Sequence, residues 1–77
     1  MELKEEIRNI ILQILELPVS ALAYDTEMNE IAEWDSIHNV IILSTLEERY
    51  GILFPDDDLF GLTSVNALAS EIARLKA

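Results

Sequence analysis

Apolar residues recur at the start of the chain with the three- and four-residue spacing of one face of an α-helix. The residues that keep this spacing are Leu3, Ile7, Ile10, Ile11, Ile14 and Leu15. Charged and polar residues fill most of the other positions, so the pattern predicts an amphipathic helix. Because proline cannot continue a helix, we expect this one to end near Leu17 and Pro18.

The next segment, from residue 18 to about residue 35, has no sustained period. Its turn-forming residues are Pro18, Ser20, Asp25, Thr26 and Asn29. Apolar residues also occur in it at intervals, namely Leu22, Tyr24, Met28 and Ile31. A loop of this length is uncommon in a compact domain and is often functional. We therefore predict a long loop whose apolar residues lie across the core.

A second helix is predicted from Ser36 to Tyr50. Asp35 is suited to be its N-cap, since a carboxylate there can accept a free backbone N–H of the first turn. Gly51 is suited to end it. The face predicted to point inward consists of Asn39, Ile42, Leu43, Leu46 and Tyr50.

The remaining sequence predicts a short helical piece and a last helix. Pro55 and the aspartates after it suit a turn into a short helix over roughly residues 56 to 61. Thr63 or Ser64 is expected to cap the last helix, whose inward face is Val65, Leu68, Ala69, Ile72 and Leu75. No stretch alternates as a strand would. We predict an all-α fold, a small bundle of three main helices and one short helix in a single domain over residues 1–77.

The charge of the chain limits its partners. It has 15 acidic residues against 5 Lys and Arg, a net charge of -10. Such a surface repels nucleic acid and anionic lipid and favours proteins with basic patches. The acidic start is unlike a signal peptide, and the apolar runs are too short to span a bilayer. We expect a cytoplasmic monomer that binds no nucleic acid and inserts in no membrane.

The sequence contains few residues in arrangements that bind metal ions. There are 0 Cys, which excludes thiolate ligands, and His38 is the single histidine. If Asp56 opened a calcium-binding loop, Asp58 and Gly61 would fit it, but the last ligand position would be Ala67 instead of a glutamate. We therefore expect no metal.

Catalysis by this chain alone also lacks the necessary residues. Ser36 as a nucleophile would need a base and an oxyanion hole. His38 lies on the same helix but is turned to another side, and no Gly-rich turn is present. What remains is a serine at a helix N-terminus, either a simple cap residue or an attachment point for a phosphate, which a helix N-terminus favours.

Three stretches of the sequence resemble the acyl carrier protein family. Asp35-Ser36-Ile37 resembles the family's Asp-Ser-Leu signature. The segment LEERYGILFPD, residues 46–56, is similar to the family's Leu-Glu-Glu-x-Phe-Gly-Ile-x-Ile-Pro-Asp. Residues 62–65, LTSV, are similar to its Ile-Thr-Thr-Val at the start of the last helix. The helix order, loop lengths and acidity also agree over nearly the whole chain.

The resemblance implies that this protein is a carrier and not an enzyme. Ser36, after the motif and cap residue Asp35, would be esterified by 4′-phosphopantetheine, donated by coenzyme A through a phosphopantetheinyl transferase with Mg²⁺. The thiol of that arm would hold an acyl or aminoacyl group as a thioester and present it to acyl-activating or acyl-transfer enzymes. The absence of cysteine is consistent with a thiol that is brought in.

Two positions depart from the fatty-acid carriers of that family. Trp34 stands where those carriers usually have a small residue, and Ile41 stands where an acid is common. Trp-Asp-Ser looks more like stand-alone carriers of secondary-metabolite or envelope-glycan pathways, and some peptidyl carriers share it. Two alternatives remain. One is a peptidyl carrier of nonribosomal peptide synthesis, and the other is an unmodified acidic interaction module in which Ser36 only caps the helix.

The helical phase also suggests a docking face and a cavity. At about 100° per residue, Ile37 and Ile41 lie opposite Leu46 and should be exposed beside Ser36. We expect partners to dock on this surface and its acidic rim: Ile37, Ile41, Glu47, Glu48, Asp56, Asp57 and Asp58. Inward phase and the resemblance suggest an adaptable cavity for a short acyl chain, with a dry core as the alternative. Its lining would be Ile42, Leu46, Phe54, Leu62, Leu68 and Ile72.

Overall fold

The computed structural model describes residues 2–55 and 61–76. Over these residues the fold is a bundle of three α-helices. The helices are α1 (Leu3–Leu15), α2 (Ser36–Tyr50) and α3 (Val65–Lys76), with 3-10 turns at Val19–Ala21 and Met28–Glu30 in the long connection between α1 and α2. The all-α bundle predicted from the sequence is confirmed. The short helix predicted from residue 56 lies, except for Gly61, outside the described residues.

Helix α1 ends before the position predicted from Pro18. Its last residue is Leu15, and Glu16 follows in the left-handed conformation with φ 57°. The backbone N–H of Leu17 donates to the carbonyl of Leu12 over 3.0 Å, so the helix closes with a Schellman motif ahead of the proline. A glutamate in the left-handed conformation does not change the spacing of the apolar residues. The sequence pattern therefore could not show that the helix ends at Leu15, two residues before Leu17.

Helix α2 begins and ends as predicted. The Asp35 carboxylate accepts the backbone N–H of His38 and caps the first turn. Gly51 has φ 65° after the last turn, and the N–H of Ile52 donates to the carbonyl of Glu47 over 3.1 Å. Glycine occupies this left-handed position without the steric cost of a Cβ atom.

Contacts at the helix ends show how the bundle is arranged. The hydroxyl of Tyr50, the last residue of α2, donates to the Glu6 carboxylate near the start of α1 over 2.9 Å. The ammonium of Lys76, the last residue of α3, lies 5.8 Å from the Tyr50 ring centre. Helices α1 and α2 are therefore antiparallel, and the starts of α2 and α3 lie at the end of the bundle opposite Tyr50.

The core is made from all three helices and from the loops. Its buried apolar residues are Ile7, Ile11, Leu12, Leu15, Leu22, Trp34, Ile42, Leu43, Leu46, Phe54, Leu62, Val65, Leu68, Ala69 and Ile72. The inward faces predicted for α2 and α3 are thus confirmed for their Ile, Leu, Val and Ala residues, whereas Asn39, Tyr50 and Leu75 are only partly buried. In the described part of the chain, no helix is long and apolar enough to cross a membrane.

The connection between α1 and α2 is tied to the start of α3. The N–H of Met28 donates to the carbonyl of Thr63 over 2.7 Å, and the N–H of Asn66 donates to the carbonyl of Tyr24 over 3.0 Å. The Thr63 hydroxyl also donates to the Glu27 carboxylate over 2.7 Å. With Leu22 buried, the prediction that this loop lies across the core is confirmed. The loop delivers the chain to the start of α2 in a fixed position.

Candidate functional site

Ser36 is exposed as the first residue of α2. The first backbone N–H groups of a helix have no acceptor within the helix. The Asp35 carboxylate accepts the backbone N–H of His38 over 2.9 Å. The backbone N–H groups of Ser36 and Ile37 come before it at the start of the helix. A hydroxyl placed here is accessible to another molecule, and the N–H groups and dipole of the helix favour an anion beside it.

Asp35 and His38 form a pair beside the serine. The His38 Nδ1 lies 2.8 Å from the same Asp35 oxygen that caps the helix. The backbone N–H of His38, followed by its side chain, lowers the pKa of the Asp35 carboxyl below its ordinary value of 3.8. This stabilisation is therefore present above pH 3.8 and is lost as the pH falls through the lower pKa of the folded state. Asp35 stays ionised as a cap at neutral pH.

The most buried side chain near the serine is that of Trp34, which the sequence did not mark as part of the core. Its exposed fraction is 2%, and its indole N–H donates to the Asn39 Oδ1 over 2.9 Å. Trp34 and Asn39 occupy the two positions that an apolar staple joins across a helix N-terminus. The large residue just before the N-cap was the sequence signal for this contact.

An exposed apolar surface follows the serine along α2. Ile37 is 73% exposed, Val40 63% and Ile41 45%, whereas Ile42 is completely buried. We call Ile37, Val40 and Ile41 the α2 apolar patch. The helical phase predicted the exposure of Ile37 and Ile41 but not the contribution of Val40. Three exposed branched residues within five positions are more than the scattered apolar residues of an ordinary surface.

The predicted acidic rim is only partly described by the structure. Glu48 is exposed on α2. The Glu47 carboxylate accepts the backbone N–H of Phe54 over 2.8 Å and so holds the chain that follows α2. Asp56, Asp57 and Asp58 lie outside the described residues. Glu47 therefore has a structural contact that the sequence did not suggest.

The six residues predicted to line a cavity are packed together in the core. Ile42, Leu46, Leu68 and Ile72 have no exposed area, and Phe54 and Leu62 are buried as well. A guest could enter among them only if their side chains moved apart, because a close-packed core leaves few voids larger than water.

The residues at Ser36 fit an attached phosphodiester. The hydroxyl is exposed at the start of a helix of 15 residues, where the donors are backbone N–H groups. Among residues 2–55 and 61–76, no three Asp, Glu or His side chains are grouped so that they could hold a metal ion. The arrangement can present a group tethered to the serine.

Comparisons with known proteins agree with this geometry. A family model described as "Phosphopantetheine attachment site" matches residues 5–72. An acyl carrier protein from Campylobacter hominis is 31% identical over 75 residues, which cover 97% of this chain and 95% of that protein. An acyl carrier protein from Rhodococcus erythropolis is 29% identical over 76 residues, covering 99% of this chain and 84% of that protein.

A solved structure has the same fold. The solution structure of a holo acyl carrier protein from Geobacter metallireducens superposes with a TM-score of 0.84 and 26% identity. The superposition covers 99% of this chain and 87% of that one. Because the family model and these relatives span nearly the whole sequence, the chain belongs to the acyl carrier protein family and carries 4′-phosphopantetheine as a covalent prosthetic group.

Proposed function

We propose that Ser36 is the residue that carries the phosphopantetheine and that the protein delivers an acyl or aminoacyl group to partner enzymes. The observation that carries this proposal is the exposed Ser36 hydroxyl at the capped start of α2. The other serines have different settings. Ser64 is buried and its hydroxyl accepts the N–H of Ala67 over 3.1 Å, while Ser44 lies in the third turn of α2.

The modification needs little from this chain beyond an accessible hydroxyl. The Ser36 oxygen bonds to the pantetheine phosphate of coenzyme A, and adenosine 3′,5′-bisphosphate leaves. The hydroxyl proton goes to a base of the phosphopantetheinyl transferase, which also binds the Mg²⁺. The start of α2 then stabilises the phosphodiester anion through its dipole and first N–H groups.

The bound group supplies the thiol on which the cargo is held as a thioester. The protein's own part is to present the attachment point to each enzyme, without catalysing a reaction itself. Tethering replaces a bimolecular encounter by one at high effective concentration, which a short flexible arm can bring to the millimolar range. A rigid, capped helix start keeps the origin of the arm at one place on the surface.

Intact mass spectrometry tests the attachment site. The apo protein is incubated with coenzyme A, Mg²⁺ and a transferase of broad specificity, and should gain the mass of one phosphopantetheinyl group. Ser36→Ala should gain none and keep its helical circular dichroism spectrum. Ser44→Ala, an exposed serine on the same helix, is the matched control and should be modified normally. Modification of Ser36→Ala would refute the assignment.

We further propose that partner enzymes dock on the α2 apolar patch. Ile37 and Ile41 are one turn apart next to Ser36, and both leave apolar area in water. The net charge of -10 complements a partner whose rim is basic. Apolar contacts at the centre carry more of the affinity, while the acids Glu47, Glu48 and Asp56, Asp57 and Asp58 steer the approach.

Kinetics of modification at several salt concentrations test this docking surface. Ile41→Glu should lower kcat/KM of the transferase by roughly tenfold, since burying an unpaired carboxylate costs more than about 1 kcal/mol. Val19→Glu places the same charge at another exposed apolar residue and should change little. Added salt should slow the wild-type reaction through screening. Equal kcat/KM for Ile41→Glu and wild type would contradict docking on this patch.

The core remains our proposed shelter for a short acyl chain. Its lining would be Ile42, Leu46, Phe54, Leu62, Leu68 and Ile72, which lie together within the buried cluster. An apolar chain that enters removes its own area from water, at about 25 cal/mol per Å². It must also separate side chains that are already packed, so only a short chain is favoured.

A further inference from the structure

Trp34 occupies the part of the core that is closest along the chain to the attachment serine. It is two residues before Ser36, its ring is buried, and it belongs to the same cluster as Ile42, Leu46 and Leu68. The start of α2 lies at the end of the bundle opposite Tyr50. The indole therefore fills the core at the end from which a tethered chain would enter.

The indole is also held in place. Its N–H donates to Asn39 on the first turns of α2, and the Trp34 backbone N–H donates to the carbonyl of Ile31 over 3.1 Å. The loop that leads to it is bonded to the start of α3 through Met28 and Thr63. Moving the ring aside would break the indole hydrogen bond and leave a buried polar group unpaired, which is costly.

We propose that Trp34 is the residue that sets the cargo specificity of this carrier, by closing the core to long acyl chains. This inference rests on the proposed attachment at Ser36. The indole prevents an acyl chain of about eight carbons from entering the core, so the chain stays outside. The closure leaves the short acyl chain proposed above as the largest guest of the core, and a polar acyl or aminoacyl group loses nothing by it, because such a group has little apolar area to bury.

The volume of the side chain makes the effect large enough to measure. Truncating a fully buried large side chain leaves an apolar hole on the order of 150 Å³, which in other proteins accepts a guest of about six carbons. Trp34→Ala should therefore open a space for most of an octanoyl chain. The same space is closed in the wild-type protein.

The experiment compares melting temperatures of loaded proteins. A transferase loads the wild type and Trp34→Ala with pantetheine arms bearing either an acetyl or an octanoyl group, and mass spectrometry verifies each product. The two wild-type products should melt at the same temperature. Octanoyl Trp34→Ala should melt roughly 5 °C or more above its acetyl form, because the chain fills the hole.

Two further variants keep the comparison interpretable. Trp34→Leu leaves a smaller hole and costs less stability than Trp34→Ala, so it serves if the alanine variant does not fold. Ile7→Ala truncates a fully buried residue of α1 next to Glu6, at the Tyr50 end, and should not gain stability from octanoylation. Chain-length dependence should appear only in the Trp34 variants.

The outcomes separate this inference from the function on which it rests. Failure to load any arm on Ser36 would refute the attachment. Normal loading with octanoyl stabilisation of the wild type would overturn the role of Trp34, and so would loading with no octanoyl effect in either Trp34 variant. The single tryptophan gives a second readout, since its fluorescence should not change between the acetyl and octanoyl forms of the wild type.

Discussion

Neighbouring isoleucines on α2 provide a matched test of how the helix faces the core. Ile41 is 45% exposed and Ile42 is completely buried, although they are adjacent and chemically identical. We consider the same substitution, isoleucine to alanine, at both positions. The helix propensity, chain composition and net charge change equally, so the difference in stability reports burial alone.

The expected magnitudes are well separated. Ile42→Ala removes three buried carbon groups at about 0.8 kcal/mol each, and the hole left behind raises the total cost to about 3 kcal/mol, within the usual range. At Ile41 about half of the side chain is already in water, and alanine is a better helix former. The cost there should stay below about 1 kcal/mol.

Thermal unfolding followed by circular dichroism distinguishes the two cases. For a domain of this size, about 1 kcal/mol corresponds to a shift of about 4–8 °C, so Ile42→Ala should lower the melting temperature by roughly 12–24 °C and Ile41→Ala by only a few degrees. A total stability of about 4–12 kcal/mol is usual for 77 residues, and at the low end of that range Ile42→Ala would be only marginally folded. Ile42→Val, costing about 1 kcal/mol, replaces it if necessary.

Equal losses of stability from Ile41→Ala and Ile42→Ala would refute this orientation of α2. A larger loss at Ile41 would place that residue in the core and remove the central residue of the proposed docking patch. A loss of stability at Ile42 alone supports both the packing of α2 and the availability of Ile41 to a partner.

Three further predictions concern the helix ends and the contact between α1 and α2. Glu16→Gly should raise the free energy of unfolding by about 1 kcal/mol in urea titrations, because it relieves a left-handed glutamate; a loss would contradict the Schellman geometry. Ser64→Ala should lower it by about 1 kcal/mol, since the cap of α3 is lost. Burial, followed by the Glu6 hydrogen bond, raises the pKa of Tyr50 above 10.0. The protonated hydroxyl therefore stabilises the fold fully below pH 10.0, and this contribution is lost as the pH rises through the higher pKa of the folded state. Melting curves of Tyr50→Phe should lack this part of the alkaline loss, and an unchanged alkaline profile would contradict it.

Much of the bundle could be predicted because the helices carry their own signals. The faces of α2 and α3 follow from a period of about 3.6 residues, and Asp35 and Gly51 mark the ends of α2 with residue types that the backbone requires there. These are local properties of the sequence. They are also sufficient to predict that Ser36 lies at an exposed helix start.

The remaining features depend on contacts between distant parts of the chain. The burial of Trp34 requires a space that only the assembled helices create, and the carboxylate of Glu47 finds the N–H of Phe54 only after the chain has turned at Gly51. The bonds of Met28 with Thr63 and of Asn66 with Tyr24 join residues far apart in sequence. Periodicity contains no information about such partners.

Those two loop bonds have a consequence for amide hydrogen exchange. The N–H groups of Met28 and Asn66 donate to carbonyls across the junction between the loop and the start of α3. Their protons therefore exchange with solvent only when that junction opens. Because the junction adjoins the segment leading to Trp34 and Ser36, their exchange rates report the opening free energy of this end of the bundle. Two amides, one at the start of the Met28–Glu30 turn and one in the first turn of α3, thereby provide a measure of how often this end of the bundle opens.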